Sequence, residues 1–247
     1  METYHFDAEK TRDALVAALR DIREKQGFEK AILGVSGGKD STVAAALLCR
    51  AYGPENVFGI MLPDGEQKDI SDSQLVFSSL GMTPHTINFH QVHKAMMEAI
   101  DEGTHLPYHR EADINVSPRI RMTILRYVAQ SLNGRLVGTG NKSEGYVGYC
   151  TKDGDTSCDF NLLGSLTSVE VVEVGLTMPE LPTTLVKKAP SDGLSGKTDE
   201  ERLGVTYQQI HDVIRHGSSG DETADERIAR LHASSAHKRS KPPIVLE

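Results

Sequence analysis

Apolar residues along the chain follow two rhythms, and the alternation between them predicts helices interleaved with strands. From position 7 to about position 25, Ala14, Leu15, Ala18, Leu19 and Ile22 recur at helical spacing, with Asp7 placed to cap the start. The uninterrupted run Ala31 to Val35 reads instead as a buried strand, and a glycine pair leads from it into an alanine- and leucine-rich helix over 41–52. The unit returns twice. A strand over 57–62 precedes a helix over 69–80, and a strand over 86–89 precedes a helix over 90–100, in which Met96 and Met97 read as core filler.

Gly103, Pro107 and Pro118 break up residues 103–118, which read as a surface loop before a helix over 118–133 and a fourth strand over 135–137. From Thr139 to Asp159 the chain is rich in Gly, Asp, Ser and Thr, the composition of an active-site loop, and further helices are expected over 167–175, 206–216 and 221–235. Strands alternating with helices imply a doubly wound parallel sheet with helices on both faces, an α/β fold.

Composition narrows the setting. With 38% hydrophobic and 25% charged residues, the 247 residues are expected to form a single domain over 1–247 around one substantial core. No apolar run approaches the roughly 18 residues of a membrane span, and the start lacks a basic-then-apolar signal layout, so a cytoplasmic protein without membrane partners is expected. Cys49, Cys150 and Cys158 match neither zinc-ligand nor disulfide spacing and read as free thiols. A formal net charge of -8 argues against a nucleic-acid surface, so an anionic substrate would need a local basic pocket.

Chemistry concentrates in Gly34-Val35-Ser36-Gly37-Gly38-Lys39-Asp40-Ser41, between the first strand and its helix. Such a junction aims backbone N–H groups and the positive end of a helix at one point, an anion site that Gly37 and Gly38 let a phosphate approach closely and to which Ser36 and Ser41 can add hydroxyls. It is not a Walker A loop, because only three residues separate Gly34 from Gly38 and Asp40 follows Lys39. A carboxylate in a phosphate cradle implies a metal ion between them. The segment resembles the SGGxDS signature of the PP-loop ATP pyrophosphatases, the adenine nucleotide alpha-hydrolase-like superfamily, whose Rossmann-like members hold the outer phosphates of ATP and transfer AMP.

Four more segments narrow the resemblance. They are 118–122 (PRIRM), 138–144 (GTGNKSE), 148–155 (GYCTKDGD), and 188–194 (KAPSDGL) with Thr198-Asp199-Glu200. Together they look like NAD synthetase, and the likeness runs from the first helix to His237-Lys238. It implies an ATP-consuming ligase that turns deamido-NAD into NAD with ammonia through an adenylate, releasing AMP and pyrophosphate. Asp40 and Glu144 would hold Mg²⁺. Gly34 to Ser41, Gln67, Thr139 and Ser191 would line the ATP site, and Arg119, Lys152, Asp159, His237 and Lys238 would contact deamido-NAD, with Asp159 near the incoming ammonium.

Charge logic agrees, since a carboxylate attacking a phosphate needs cations such as Mg²⁺, Arg119 and Lys152 to offset repulsion. The chain departs from the family in two places. Many members read KYGDGGAD where residues 152–159 read KDGDTSCD, and many carry an ATP-contacting lysine at the position of Ser168, for which Lys39, Lys187 or Lys188 are the substitutes on offer. A tRNA-modifying relative would be expected to show a basic face, and a nucleotide sensor without chemistry would not need both Asp40 and Glu144. The resemblance also implies a homodimer. The phosphate turn begins 34 residues into the chain, which leaves no space for a glutaminase domain before it, so free ammonia is the expected nitrogen donor.

Overall fold

The computed structural model of the protein describes residues 4–67, 70–189 and 198–241. Among them, β1 (Lys30–Gly34), β2 (Val57–Ile60), β3 (Gly134–Gly138) and β4 (Phe160–Asn161) form a parallel sheet in the order β2-β1-β3-β4. β1 is paired on both sides, with Ala31 opposite Val57 and Arg135. Its residues Ala31, Ile32 and Leu33 are buried whichever face they point to, which is why the run is continuously apolar instead of alternating.

Alternate residues of β1 feed two cores. On one face Leu33 packs with Val43, Leu47 and Val174 beneath α1 (Ala8–Gln26), α2 (Lys39–Tyr52) and α8 (Ser168–Leu176). On the other, Ile32 packs with Ile60, Leu136 and residues Ile120, Leu125 and Ala129 of α6 (Val116–Ser131). This is the expected doubly wound arrangement. A third cluster, including Val147, Leu203, Tyr207, Ile210 and Ile228, joins α7 (Lys142–Val147), α10 (Asp199–Leu203), α11 (Tyr207–His216) and α12 (Glu222–Ser234).

The structure differs from the sequence reading in several places. The strand expected over 86–89 shrinks to a single bridge between Met61 and Thr86. Met61 donates to His85 O at 2.8 Å and Ile87 donates to Met61 O at 2.9 Å, but Pro63 has no N–H with which to continue the ladder. Residues 103–118 are a loop only over 105–109. α4 (His90–Thr104) runs past Ile100, α5 (Arg110–Ile114) follows, and α6 begins before Pro118, which sits in the first turn where its missing N–H is harmless. The polar stretch 139–159 contains α7, started by a capping box in which Asn141 and Glu144 satisfy each other's backbone N–H groups. Met96 is not core filler, being 47% exposed on α4.

A buried ion pair ties α11 to α8. Glu170, fully buried, accepts from Arg215 Nε at 2.7 Å and Nη2 at 2.6 Å, from the Thr167 N–H at 2.8 Å, and from the Tyr4 hydroxyl. Burial pushes its carboxyl up, but the Arg215, Tyr4 and Thr167 hydrogen bonds outweigh burial and hold it below the ordinary 4.5. Its stabilisation is therefore present above that value and is lost as pH falls. Arg215→Met should cost about 3–5 kcal/mol in urea unfolding at neutral pH by stranding a buried charge. Lys25→Met, which breaks an exposed pair with Asp21, should cost under about 1 kcal/mol.

Candidate functional site

β1 and β3 are neighbours, yet the chain leaves β1 toward β2 and leaves β3 toward β4, so a crevice opens beyond their carboxyl ends. The segment 34–41 occupies it. Gly38 caps α2 with its backbone alone, and Ser36 and Ser41 brace the turn: the Ser36 N–H donates to Ser41 Oγ at 3.3 Å, the Gly38 N–H to Ser36 Oγ at 3.2 Å, and the two hydroxyls lie 3.0 Å apart. Gly37 adopts φ +77, and a Cβ there would stand 2.7 Å from the Ser73 backbone nitrogen and 2.8 Å from Asp72 Cβ. Two helix starts, those of α2 and α3 (Ile70–Leu80), therefore converge on Gly37 and add their positive ends at one point. Beside it the buried Ser73 hydroxyl has no hydrogen-bond partner among the described residues.

Behind the turn stands a linked pair of carboxylates. Asp40 Oδ1 accepts from Asn141 Nδ2 at 3.0 Å, the Asn141 N–H donates to Glu144 Oε2 at 2.9 Å, and the Glu144 N–H returns to Asn141 Oδ1 at 3.0 Å. Asp40 Oδ2 is held by Lys39 Nζ at 2.6 Å. Burial, then repulsion from Asp40, pushes the Glu144 carboxyl up to about 8, while Lys39 opposes the shift. Two hard oxygen donors that repel one another are the donor set a Mg²⁺ ion takes, so the residues present fit that ion.

The remaining sequence-based assignments fare differently from one another. Thr139 follows β3 into the crevice, and Gln67 heads α3, its carbonyl accepting from the Ile70 N–H at 3.4 Å. Arg119, exposed on α6, donates from Nε to the backbone carbonyl of Lys152 at 3.3 Å, so those two residues come together. Asp159 and Lys238 are engaged in bracing. Asp159 accepts from the Leu136 N–H at 2.7 Å and pairs with Arg126, whereas Lys238 Nζ on α13 (Ala236–Arg239) donates to Gly148 O at 2.8 Å and Cys150 O at 2.7 Å. His237 beside it is exposed, and Ser191 lies outside the described residues.

Sequence reasoning missed Ser73, Asp72 and Arg126, which carry no spacing signal within ordinary helices. It left open the replacement for a lysine at Ser168. Ser168 is buried at the start of α8, where its N–H donates to Ser143 Oγ at 3.1 Å. Lys188 Nζ lies 2.6 Å from Asp72 Oδ2 and so stands beside the Gly37 turn, while Lys187 is exposed.

The family model described as NAD synthase matches residues 11–242. The chain is 35% identical over 244 residues to the NH(3)-dependent NAD(+) synthetase of Archaeoglobus fulgidus, covering 96% of each. Among solved structures, the NMN synthetase of Francisella tularensis superposes with a TM-score of 0.90 at 32% identity, over 97% of this chain and 99% of that one. The NAD+ synthetase of Burkholderia pseudomallei does so at 0.79 and 27%, over 96% and 92%.

Gly37→Ala should weaken ATP binding at least about tenfold in calorimetry, because the new methyl meets backbone in a left-handed conformation. Gly81→Ala is the control: φ there is +65 but no atom lies within 4 Å of the added Cβ, so it should lower stability and leave ATP affinity unchanged.

Proposed function

The chain belongs to the NAD synthase family, and on that premise we propose that it is a cytoplasmic, ammonia-dependent ligase that amidates deamido-NAD to NAD at the expense of ATP. The observation that carries this reading is the carboxylate pair Asp40 and Glu144, joined through Asn141 behind an anion-binding turn. The backbone N–H groups around Gly37 and Gly38, with Lys188 beside them, suit the outer two phosphates, the part of ATP that leaves as pyrophosphate. Asp40 and Glu144 are the residues that would hold Mg²⁺, which when bound offsets charge between the phosphates and an attacking carboxylate. Gln67 and Thr139, with Ser191, complete the proposed ATP site.

Arg119 and Lys152 supply the cations for the deamido-NAD carboxylate and phosphates, near the loop that Lys238 pins. The nicotinate carboxylate attacks the α-phosphorus, pyrophosphate leaves, and ammonia displaces AMP from the mixed anhydride. Asp159 orients ammonium through its charge, in company with Arg126, and His237 lies beside the dinucleotide. The cysteines support free ammonia as donor. Burial pushes the Cys49 thiol up to about 12 and the Cys150 thiol up to about 11, and it raises Cys158, so none is poised as the thiolate of a glutaminase.

A second reading has one observation in its favour, the higher TM-score to the NMN synthetase than to the NAD+ synthetase. On that reading the substrate is nicotinate mononucleotide. One assay separates the two. The chain is incubated with ATP, Mg²⁺ and ammonium, together with either deamido-NAD or nicotinate mononucleotide, and kcat/KM is compared. NAD, AMP and pyrophosphate are expected, with the dinucleotide preferred. A preference for the mononucleotide transfers the assignment to the second reading, and sustained turnover with glutamine alone, abolished by cysteine alkylation, refutes the ammonia donor.

We further propose a C2 homodimer. Val92, Met96 and Ile100 form an exposed stripe along α4, no residue of which is buried, and Leu106, Tyr108 and Tyr127 extend the exposed apolar surface. A second copy of the chain is the occupant that covers this stripe by self-complementarity. Light scattering should give a dimer for the native chain and a folded monomer for Met96→Glu. A native monomer that is fully active at the same concentration would refute the assembly.

A further inference from the structure

Lys39 is the one lysine of the phosphate turn, yet it is only 4% exposed. Its ammonium lies 2.6 Å from Asp40 Oδ2 and 5.3 Å from the centroid of the Tyr207 ring. Asp40 matches this charge at hydrogen-bond distance, and the carboxylates of Glu144 and Asp199 act on it from farther off. Asp199 belongs to the same group, its two oxygens accepting from the hydroxyls of Tyr149 at 3.1 Å and Tyr207 at 3.2 Å. A buried ammonium therefore faces three carboxylates, two of which are the proposed metal ligands. A lysine that only filled space would reach its head to water.

We propose that the Lys39 ammonium is the resident cation of this acidic pocket and that it couples divalent-metal binding to polyphosphate binding. The inference rests on the metal assignment made above. A divalent ion arriving alone meets a positive charge already on Asp40, which opposes its binding. A polyphosphate seated on the adjoining turn gives the ammonium a second anionic partner and frees Asp40. Lys39 thus opposes the metal and favours the phosphate, so that the two enter best together.

The two effects have opposite signs, and this separates the proposal from a packing role. Mn²⁺ binding to the nucleotide-free chain and ATP binding in EDTA are measured by calorimetry for the native chain, Lys39→Met and Lys39→Arg. Circular dichroism checks folding, and Lys39→Gln replaces the methionine variant if the latter does not fold. The neutral variant should bind Mn²⁺ at least about tenfold more tightly and metal-free ATP at least about tenfold more weakly, while Lys39→Arg stays near native. Unchanged affinities, or Mn²⁺ and ATP affinities that move in the same direction, would overturn the role of Lys39. A native chain that takes up no Mn²⁺ even with ATP present would instead remove the metal assignment beneath it.

Discussion

The turn at Gly37 has no space for a side chain, and the carboxyl edge of the sheet is organised around that constraint. β1 is buried on both faces and α2 is buried from Ser41 to Leu48, so neither flank of the turn can shift to relieve a clash. The start of α3 closes the third side, with the Ser73 nitrogen against the glycine. N–H groups held this rigidly keep their orientation when charge develops nearby, which is what electrostatic preorganisation requires. The same rigidity is shared by the cores on the two faces of the sheet, since Ile32 and Leu33 point to opposite sides of the strand that delivers the turn.

A second constraint is electrostatic. A chain of net charge -8 handles an anionic substrate by segregation, with carboxylates gathered behind the turn and cations placed around it. Asp40, Glu144 and Asp199 lie on the inner side with Lys39 among them, whereas Arg119 and Lys152 meet at the start of α6 and Lys188 stands by Asp72. The charge of each group is set by its burial and then by its neighbours, as the raised Glu144 carboxyl illustrates.

Much of the fold was legible because its strands are short, contiguous apolar runs bounded by glycine, and because helices such as α1, α2 and α12 carry their caps in sequence. What escaped has local causes. β4 spans two residues and offers no period to detect. The strand before α4 ends because Pro63 on the facing segment lacks a donor, a fact about its partner and not about residues 86–89. α7 hid in a polar stretch although Asn141 and Glu144 stand at capping-box spacing. At the site, residues contiguous in the chain, such as Gly34 to Ser41, were readable, because one turn makes one motif. Asp72, Ser73 and Arg126 join through tertiary contacts from separate helices, which no spacing records.

The brace at the end of α7 has a consequence for how the molecule assembles. Lys238 donates to Gly148 O and Cys150 O, 90 and 88 positions earlier, and Arg239 donates to Gly145 O at 3.2 Å and Tyr146 O at 3.1 Å. The carbonyls at the end of the helix carrying Glu144 therefore gain these partners only when α13 docks, while His232 Nδ1 on α12 lies 2.8 Å from Tyr146 O. Closing so long a stretch costs chain entropy before any of these bonds forms, as does the pairing of β1 with β3, so the site is assembled from contacts distant in the chain. The helix that carries Glu144 is thereby tied to the last described helix of the chain, so that loosening of α13 is felt at the acidic half of the site.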